Sequence, residues 1–434
     1  MGTTIGVVGM GYVGLTLTAA LARAGNTVHG VDVKPEVLDA LSRGRPHIFE
    51  PGVAEVFAEC IGKTIFVGPA LPSSGLDAVM ISVSTPIDPL TRRPDLRFLA
   101  AAAEDIARTC HPDTLVVVRS TVPVGTSRSV VLPPLLVAWG RVRLAMAPER
   151  TIQGQALREL VELPQVVGAL DEESLAAAVE VFGSLATQVV PVSGLETAEL
   201  VKLANNCHTD LIYAYGNEVA LVAEGHGLDP LEVIRAANLD YPRPDLARPG
   251  YVGGGCLSKD PFIMIDSVRG RPPFLVGAAR ELNEHLPVHV AQRVVGMLER
   301  TSGTARGARL AVLSWAYKGW PATDDMRGTP IAAMMPVFDD AGVVVDGHDP
   351  MVTDDVIRSY GGRPVSLDKA WSEPDGILVI NDHPDYRALP VGSMLVGTAA
   401  RFVYDSWRIL DEDAVRAAGL DYAGLGYDRP AVTA

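Results

Sequence analysis

Thr4-Ile5-Gly6-Val7-Val8-Gly9-Met10-Gly11-Tyr12-Val13-Gly14 sets an apolar run directly before three glycines in the pattern GxGxxG, and the apolar stretch Leu15–Ala24 follows it. Glycines in that pattern also close ordinary turns, so the context decides the reading. A strand, a tight turn and a helix in succession leave backbone N–H groups free to meet a pyrophosphate at the helix start. The next strand-like run, Val28–Val31, ends at Asp32, where a carboxylate can accept hydrogen bonds from a ribose diol. Gly9, Gly11, Tyr12, Val13, Gly14 and Asp32 are therefore read as a dinucleotide site. Asp32 would repel a 2′-phosphate, so NAD is expected in preference to NADP, with Lys34 the nearby cation that argues the other way.

The pattern continues outward from this unit. Ala78–Val83, Leu115–Val118 and Arg143–Met146 are further strand-like runs, each followed by polar turns or amphipathic stretches. Such alternation predicts a parallel sheet with helices on both faces. From about Glu196 the period changes: Leu200, Leu203, Cys207 and Leu211 recur at three and four, which predicts one long helix to about Glu224. After Thr301–Gly307 a second βα series begins, with runs at Arg309–Leu313, Val343–Val345, Gly376–Ile380 and Phe402–Tyr404. A chain of 434 residues is too long for one core, and two or three domains are expected. No repeat of fixed period is visible.

Charge and composition exclude some classes. Lysine and arginine number 37 against 52 aspartates and glutamates, a formal charge of −15, with no basic block to meet a nucleic acid or an anionic membrane. No apolar run approaches the roughly 18 residues of a membrane span. Met1 leads almost at once into a strand, which leaves no room for a signal peptide, so the cytoplasm is expected.

Gly253-Gly254-Gly255-Cys256-Leu257-Ser258-Lys259-Asp260 is the second strong signal. Small residues permit close approach of a ligand, and a thiol stands beside a cation and a carboxylate. A free thiol is only ~3% thiolate at neutral pH, so a nucleophile needs a nearby cation, and Lys202 and Lys259 are the candidates. A dinucleotide site and a nucleophilic thiol in one chain point to an oxidation that goes beyond the aldehyde. Cys60, Cys110, Cys207 and Cys256 lack CxxC or metal spacing, so free thiols are expected and no metal site.

These segments stand in order with the Ser84-Thr85-Pro86 turn, Ser120-Thr121-Val122-Pro123-Val124-Gly125-Thr126 and Ala147-Pro148-Glu149-Arg150-Thr151. Glu199–Asn206, Tyr317-Lys318, Thr323-Asp324-Asp325-Met326-Arg327 and His348-Asp349-Pro350 complete the series. In this the chain resembles the UDP-glucose/GDP-mannose dehydrogenase family of nucleotide-sugar 6-dehydrogenases over nearly its whole length. The resemblance implies an α/β fold of two Rossmann-like open parallel-sheet domains, joined by a long central helix and a helical dimerisation region. It places an NAD-binding domain at 1–195, a central helical region with the catalytic loop at 196–300 and a nucleotide-sugar-binding domain at 301–434. A homodimer or a higher homo-oligomer is implied.

The family chemistry is a four-electron oxidation of the sugar C6 alcohol to a carboxylate with two NAD in succession. The resemblance gives Cys256 the covalent step, Lys202 and Asn206 the oxyanion, and Asp260, Glu149 and Thr121 the hydrolytic water. It extends the cofactor contacts to Lys34, Thr85, Thr121, Lys318 and Arg327. The sugar nucleotide would meet Glu149, Arg150, Thr151, Lys202, Asn206, Arg243, Tyr251, Gly253, Lys259 and Lys318.

The chain departs from the family at several points. Gln153 stands where many members have glutamate, and glutamine cannot accept a proton. Gly328-Thr329 replaces an acidic and small pair, and the glycine loop is one residue shorter. Asp405-Ser406-Trp407-Arg408 lacks the arginine that commonly follows the aspartate by two.

Pro148–Ile152, Leu160–Gly168 and Asn381-Asp382-His383 are similar to the branch acting on UDP-N-acetylhexosamines, UDP-N-acetylmannosamine above all, whereas Lys259 resembles the UDP-glucose branch. The acetamido sugars are favoured over UDP-glucose, with GDP-mannose further behind. A two-electron β-hydroxyacid dehydrogenase would share the glycine turn and the Lys-x-x-x-Asn helix, but would have no use for Cys256 or a second α/β domain. A silent nucleotide-sugar-binding protein could dispense with Cys256, Lys202, Asn206 and Asp260 together.

Overall fold

The computed structural model describes residues 2–242, 245–271 and 273–431. The chain divides into two compact units, one of Met1–Asn206 with Phe262–Pro272 and one of Cys207–Pro261 with Pro273–Ala434.

In the first unit, β1 (Thr4–Val8), β2 (Thr27–Val31), β3 (Ile65–Gly68), β4 (Ala78–Ile81), β5 (Leu115–Val118), β6 (Arg143–Met146), β7 (Gln165–Ala169) and β8 (Val189–Pro191) form one sheet. Its order is β3-β2-β1-β4-β5-β6-β7-β8. The strands β4 and β5 read Ala-Val-Met-Ile and Leu-Val-Val-Val, buried at every position, as a sheet covered on both faces requires. One face packs Leu15, Leu21, Phe57 and Phe182, and the other packs Leu99, Ile106 and Leu135. The strand order reverses between β1 and β4, and open α/β sheets bind ligands in the crevice beyond the carboxyl ends at such a point.

In the second unit, β9 (Arg309–Leu313), β10 (Val344–His348), β11 (Arg363–Pro364), β12 (Gly376–Val379), β13 (Phe402–Asp405), β14 (Asp421–Gly424) and β15 (Tyr427–Arg429) run in the order β11-β10-β9-β12-β13-β14-β15. Trp315, Met334 and Phe338 fill one face, and Trp371, Tyr386 and Tyr422 the other.

Both sheets are mainly parallel, as expected, and each contains one antiparallel pair. β7 runs antiparallel to β6, and β15 to β14. The second case is forced locally: Gly424 pairs with Tyr427 across only Leu425-Gly426, and a two-residue connection can join only antiparallel strands.

The expected long helix is present as Leu195–Gly225, 31 residues that begin in the first unit and end in the second. A second long helix, Phe274–Ser302, carries Pro287 inside it.

The two sheets start with the same construction, although no sequence repeat announces it. Gly9 N–H donates to Val31 O at 2.8 Å, and Ser314 N–H to His348 O at 3.1 Å. Asp32 Oδ2 accepts from Met10 N at 2.8 Å, and Asp349 Oδ2 from Trp315 N at 2.6 Å. A Cβ on Gly30 would lie 2.7 Å from Met10 Sδ, and one on Gly347 2.6 Å from Trp315 Cζ2. The same backbone joint is thus built with a thioether in one unit and an indole in the other, which hides the repeat from a search for similar residues.

Candidate active site

The first unit builds a dinucleotide cradle at the β1–β4 crevice. The helix Tyr12–Arg23 starts at Gly11 with no side-chain cap and no acid in its first turn, so its leading N–H groups and its positive dipole end are available to an anion. A Cβ on Gly11 would have nothing within 4 Å, whereas one on Gly14 would lie 1.9 Å from Gly9 O. The first glycine therefore leaves room for a ligand and the second lets helix and turn close. Asp32 stands part-exposed at the end of β2, with Oδ1 accepting from Lys34 N at 3.0 Å. The Ser82 and Thr85 hydroxyls, just past β4, are buried and have no hydrogen-bond partner among the described residues. An open gap over a helix start, a carboxylate at the ribose position and unmatched hydroxyls fit NAD. Val13 follows Tyr12 into the helix, and the Tyr12 hydroxyl donates to Glu50 Oε2 at 2.6 Å.

Further along the same crevice lies a charged group. Glu149 is 6% exposed and Arg119, at the end of β5, 1%. Arg119 Nη2 donates to Glu149 Oε2, and its Nη1 donates to Gln165 Oε1 at 3.1 Å. Glu149 Oε1 accepts from Arg150 N at 2.8 Å and Thr151 N at 2.9 Å. Burial works to raise the Glu149 pKa, but Arg119, the two amides and the Lys202 charge outweigh it, and the group is held below the ordinary glutamate value.

Lys202, on the helix Leu195–Gly225, is 7% exposed and makes no hydrogen bond or salt bridge among the described residues. A buried ammonium in that condition calls for an anion or an oxyanion. Asn206 follows one turn later. Thr121 is part-buried in the loop after β5, whose turn is fixed by Glu199 accepting from Gly125 N at 2.5 Å and Ser127 N at 2.8 Å. The Thr151 hydroxyl is buried and has no hydrogen-bond partner among the described residues. Arg150 turns away and donates to Pro164 O.

The second unit carries the thiol loop. Cys256 is exposed, while Cys110 and Cys207 are buried and Cys60 is half-buried. Burial pushes the Cys110 thiol up to about 11 and the Cys207 thiol up to about 12. A Cβ on Gly255 would lie 2.6 Å from Cζ and Nη1 of Arg327. That guanidinium, bound to Asp325 at 2.7 Å, also feels the Cys256 charge.

Lys259 is not spare: its Nζ donates to Asp260 Oδ1 at 2.6 Å, and Asp260 is fully buried. The glycines serve packing as well as access, since a Cβ on Gly253 would lie 2.2 Å from Gly328 O. Lys318 Nζ stands 5.5 Å from the Tyr317 ring centre. Tyr251 is a core residue whose hydroxyl pairs with Ser406 Oγ at 2.9 Å.

Gly9, Gly11, Tyr12, Val13, Gly14, Asp32, Lys34, Thr85, Thr121, Glu149, Arg150, Thr151, Lys202 and Asn206 thus belong to the first unit. Tyr251, Gly253, Cys256, Lys259, Asp260, Lys318 and Arg327 belong to the second. Arg243 lies outside the described residues.

Several residues that hold these groups escape the sequence reading. Arg119 could have been noticed, because a charge ending the all-apolar β5 must find a partner. Asn217 accepts from Gly250 N at 2.8 Å and donates to Gly250 O at 3.0 Å. Arg280 Nη1 donates to Leu257 O at 2.9 Å and to Asp210 Oδ1 at 2.8 Å, and Asn283 joins Asp210 to Asn217. Two long helices thereby grip the thiol loop on both sides of Cys256.

Comparison with known proteins matches all three regions of the chain to one family. Residues 3–186, 196–285 and 311–412 match, in turn, the NAD binding, central and UDP binding domains of the UDP-glucose/GDP-mannose dehydrogenase family. UDP-N-acetyl-D-mannosamine dehydrogenase of Pyrococcus horikoshii is 30% identical over 97% of this chain and 99% of its own. The UDP-D-ManNAc dehydrogenase structure from that organism superimposes with a TM-score of 0.88 at 29% identity, covering 98% of this chain and 99% of that one. A UDP-glucose dehydrogenase from Pyrobaculum islandicum gives 0.86 at 28%, with 98% of each chain covered. No helix among the described residues is long and apolar enough to cross a membrane. This chain is a nucleotide-sugar dehydrogenase with an NAD-binding domain, and it belongs to the UDP-glucose/GDP-mannose dehydrogenase family.

Proposed function

We propose that the protein oxidises the C6 alcohol of a UDP-N-acetylhexosamine, UDP-N-acetylmannosamine first, to the uronic acid in two steps through a thioester on Cys256. The observation that carries this reading is the exposed Cys256 thiol beside Arg327. A two-electron oxidation has no step for a nucleophile. NAD, when bound, accepts the hydride in each step.

Lys202 and Asn206 stabilise the oxyanion that develops on the sugar oxygen, and losing one such donor typically costs about 10²–10³ in rate. Cys256 adds to the aldehyde carbon to form a thiohemiacetal, and the second oxidation leaves a thioester. Water then adds to the acyl carbon, the C–S bond breaks, and the acid leaves with the thiol restored. Thr121, Asp260 and Glu149 hold or deprotonate that water. Arg327, itself bound to Asp325, is the cation within electrostatic reach of Cys256, and Lys259 is engaged by Asp260. Arg150, Thr151, Arg243, Tyr251, Gly253 and Lys318 shape the nucleotide-sugar site, and a homodimer in the cytoplasm is the working form.

The acetamido preference is supported by the branch named for the Pyrococcus horikoshii relative and by the segments Pro148–Ile152 and Asn381–His383. UDP-glucose is the second reading, favoured by Lys259. Incubation with NAD and UDP-N-acetylmannosamine, UDP-N-acetylglucosamine, UDP-glucose or GDP-mannose, following NADH and identifying the product, separates them. The account expects highest kcat/KM with an acetamido sugar. Preference for UDP-glucose would move the chain to the other branch, and turnover of none would refute the substrate class.

A further inference from the structure

The segment after β6 is held by carboxylates from three directions. Glu149 takes the amides of Arg150 and Thr151, and Glu159 takes that of Ile152 at 2.7 Å. Glu50, 4% exposed, takes those of Gly154 and Ala156 at 2.7 Å each. Of the three, Glu149 is the one whose other oxygen is bound by a buried arginine.

Arg119 has no route to solvent. Its guanidinium carbon stands 5.2 Å from the centre of the Phe182 ring, and Gln165 takes a second N–H. Lys202 is the other cation near Glu149. Tyr12 lies within its electrostatic reach, with a hydroxyl already given to Glu50.

We infer that Arg119 is a positioning residue that fixes Glu149 as a permanent carboxylate, so that Glu149 orients the hydrolytic water and does not take its proton. This inference rests on the thioester reading above. In the hydrolysis, water oxygen bonds to the acyl carbon, the C–S bond breaks toward Cys256, and the proton that water gives up ends on the departing Cys256 sulfur, not on Glu149. A proton acceptor with a strongly bound cation on one oxygen and two amides on the other has its lone pairs engaged in the charged form. Gln153, unable to take a proton, stands four residues on.

The sign follows from the balance of burial against partners. Glu149 is held low in the parental protein, so its carboxylate persists well below neutral pH. Without the Arg119 charge, burial is opposed only by Lys202 and two amides, and protonation moves to higher pH. The test measures the thioester-hydrolysis rate against pH, after a burst of NADH, for R119M, R119K, E149Q and the double variant R119M/E149Q.

R119M should keep the burst and acquire an acid limb that costs hydrolysis about tenfold for each unit of upward movement. R119K should return most of the parental profile. The double variant should be no slower than E149Q, because Arg119 acts through Glu149. It also removes both charges together, which spares the fold an unpaired buried ion. A parental rate and profile in R119M, or in its absence from unfolding a double variant much slower than E149Q, would overturn the inference. Infrared titration of the parental protein against E149Q reads the Glu149 carboxylate without substrate: protonation in the neutral range sinks the role of Arg119, whereas failure to form the burst sinks only the reaction.

Discussion

Burial separates the four thiols. A nucleophile must lose its proton, and the apolar surroundings of Cys110 and Cys207 oppose that by holding both thiols up. Cys256 has solvent and the Arg327 charge. Cys256→Ser replaces a good nucleophile and leaving group by poor ones, so four-electron turnover should nearly stop while NAD binding, followed by fluorescence, stays parental. Cys110→Ala should leave kcat within about twofold; a larger loss in kcat than in thermal stability would contradict the ranking of the thiols.

Asp32 offers a second residue-scale prediction. Asp32→Ala should narrow the preference for NAD over NADP mainly by weakening NAD, as read from kcat/KM for both. An unchanged ratio would remove Asp32 from the ribose. These residues were legible because glycine spacing, a strand-end acid and a cysteine among glycines each have a local signature. Glu50 was not, and Arg119 showed only as a charge in need of a partner, since each acts on a segment 30 or about a hundred positions away, and nothing local marks the partner.

The helices Leu195–Gly225 and Phe274–Ser302 owe their functional value to the polar stripe they bury. Lys202, Asn206, Asp210 and Asn217 fall within an arc of about 80° at 3.6 residues per turn, on a helix otherwise rich in apolar residues. The sequence showed the first pair, and the remainder could have been read from the same period. Arg280 and Asn283 could not, because their partners come from the first helix, about 70 positions away.

Breaking the nearly dry Asp210–Arg280 pair leaves an uncompensated charge, so Arg280→Met should cost about 3–5 kcal/mol in urea unfolding. Activity should fall further than NAD affinity, because the loop released at Leu257 carries the thiol. Stability within about 1 kcal/mol of the parent would show that the pair is dispensable. Short strands were the least legible elements. β11 has only two residues, and the hairpin of β14 and β15 was missed because its pairing depends on a two-residue turn.

At the scale of the molecule, two sheets are founded on one joint, a strand-end acid that binds the amide of the first strand's turn. Only the first combines it with an uncapped glycine turn open at Gly11; in the second, Ser314 and Trp315 fill the equivalent turn. The α/β class of both halves followed from the alternating runs, since buried parallel strands are apolar throughout. The equivalence of the joints did not, because packing accepts methionine or tryptophan against a glycine on the neighbouring strand.

Fold alone supports many chemistries. What distinguishes the proposed function is a covalent route to the acid, and the direct measure is the yield of NADH per sugar consumed, with the product identified. With limiting UDP-N-acetylmannosamine and excess NAD, the account predicts two NADH for each sugar and a uronic acid, with the acyl group caught on Cys256 by intact-protein mass spectrometry in Glu149→Gln. One NADH per sugar with an accumulating aldehyde or ketone, and no adduct on Cys256, would contradict it.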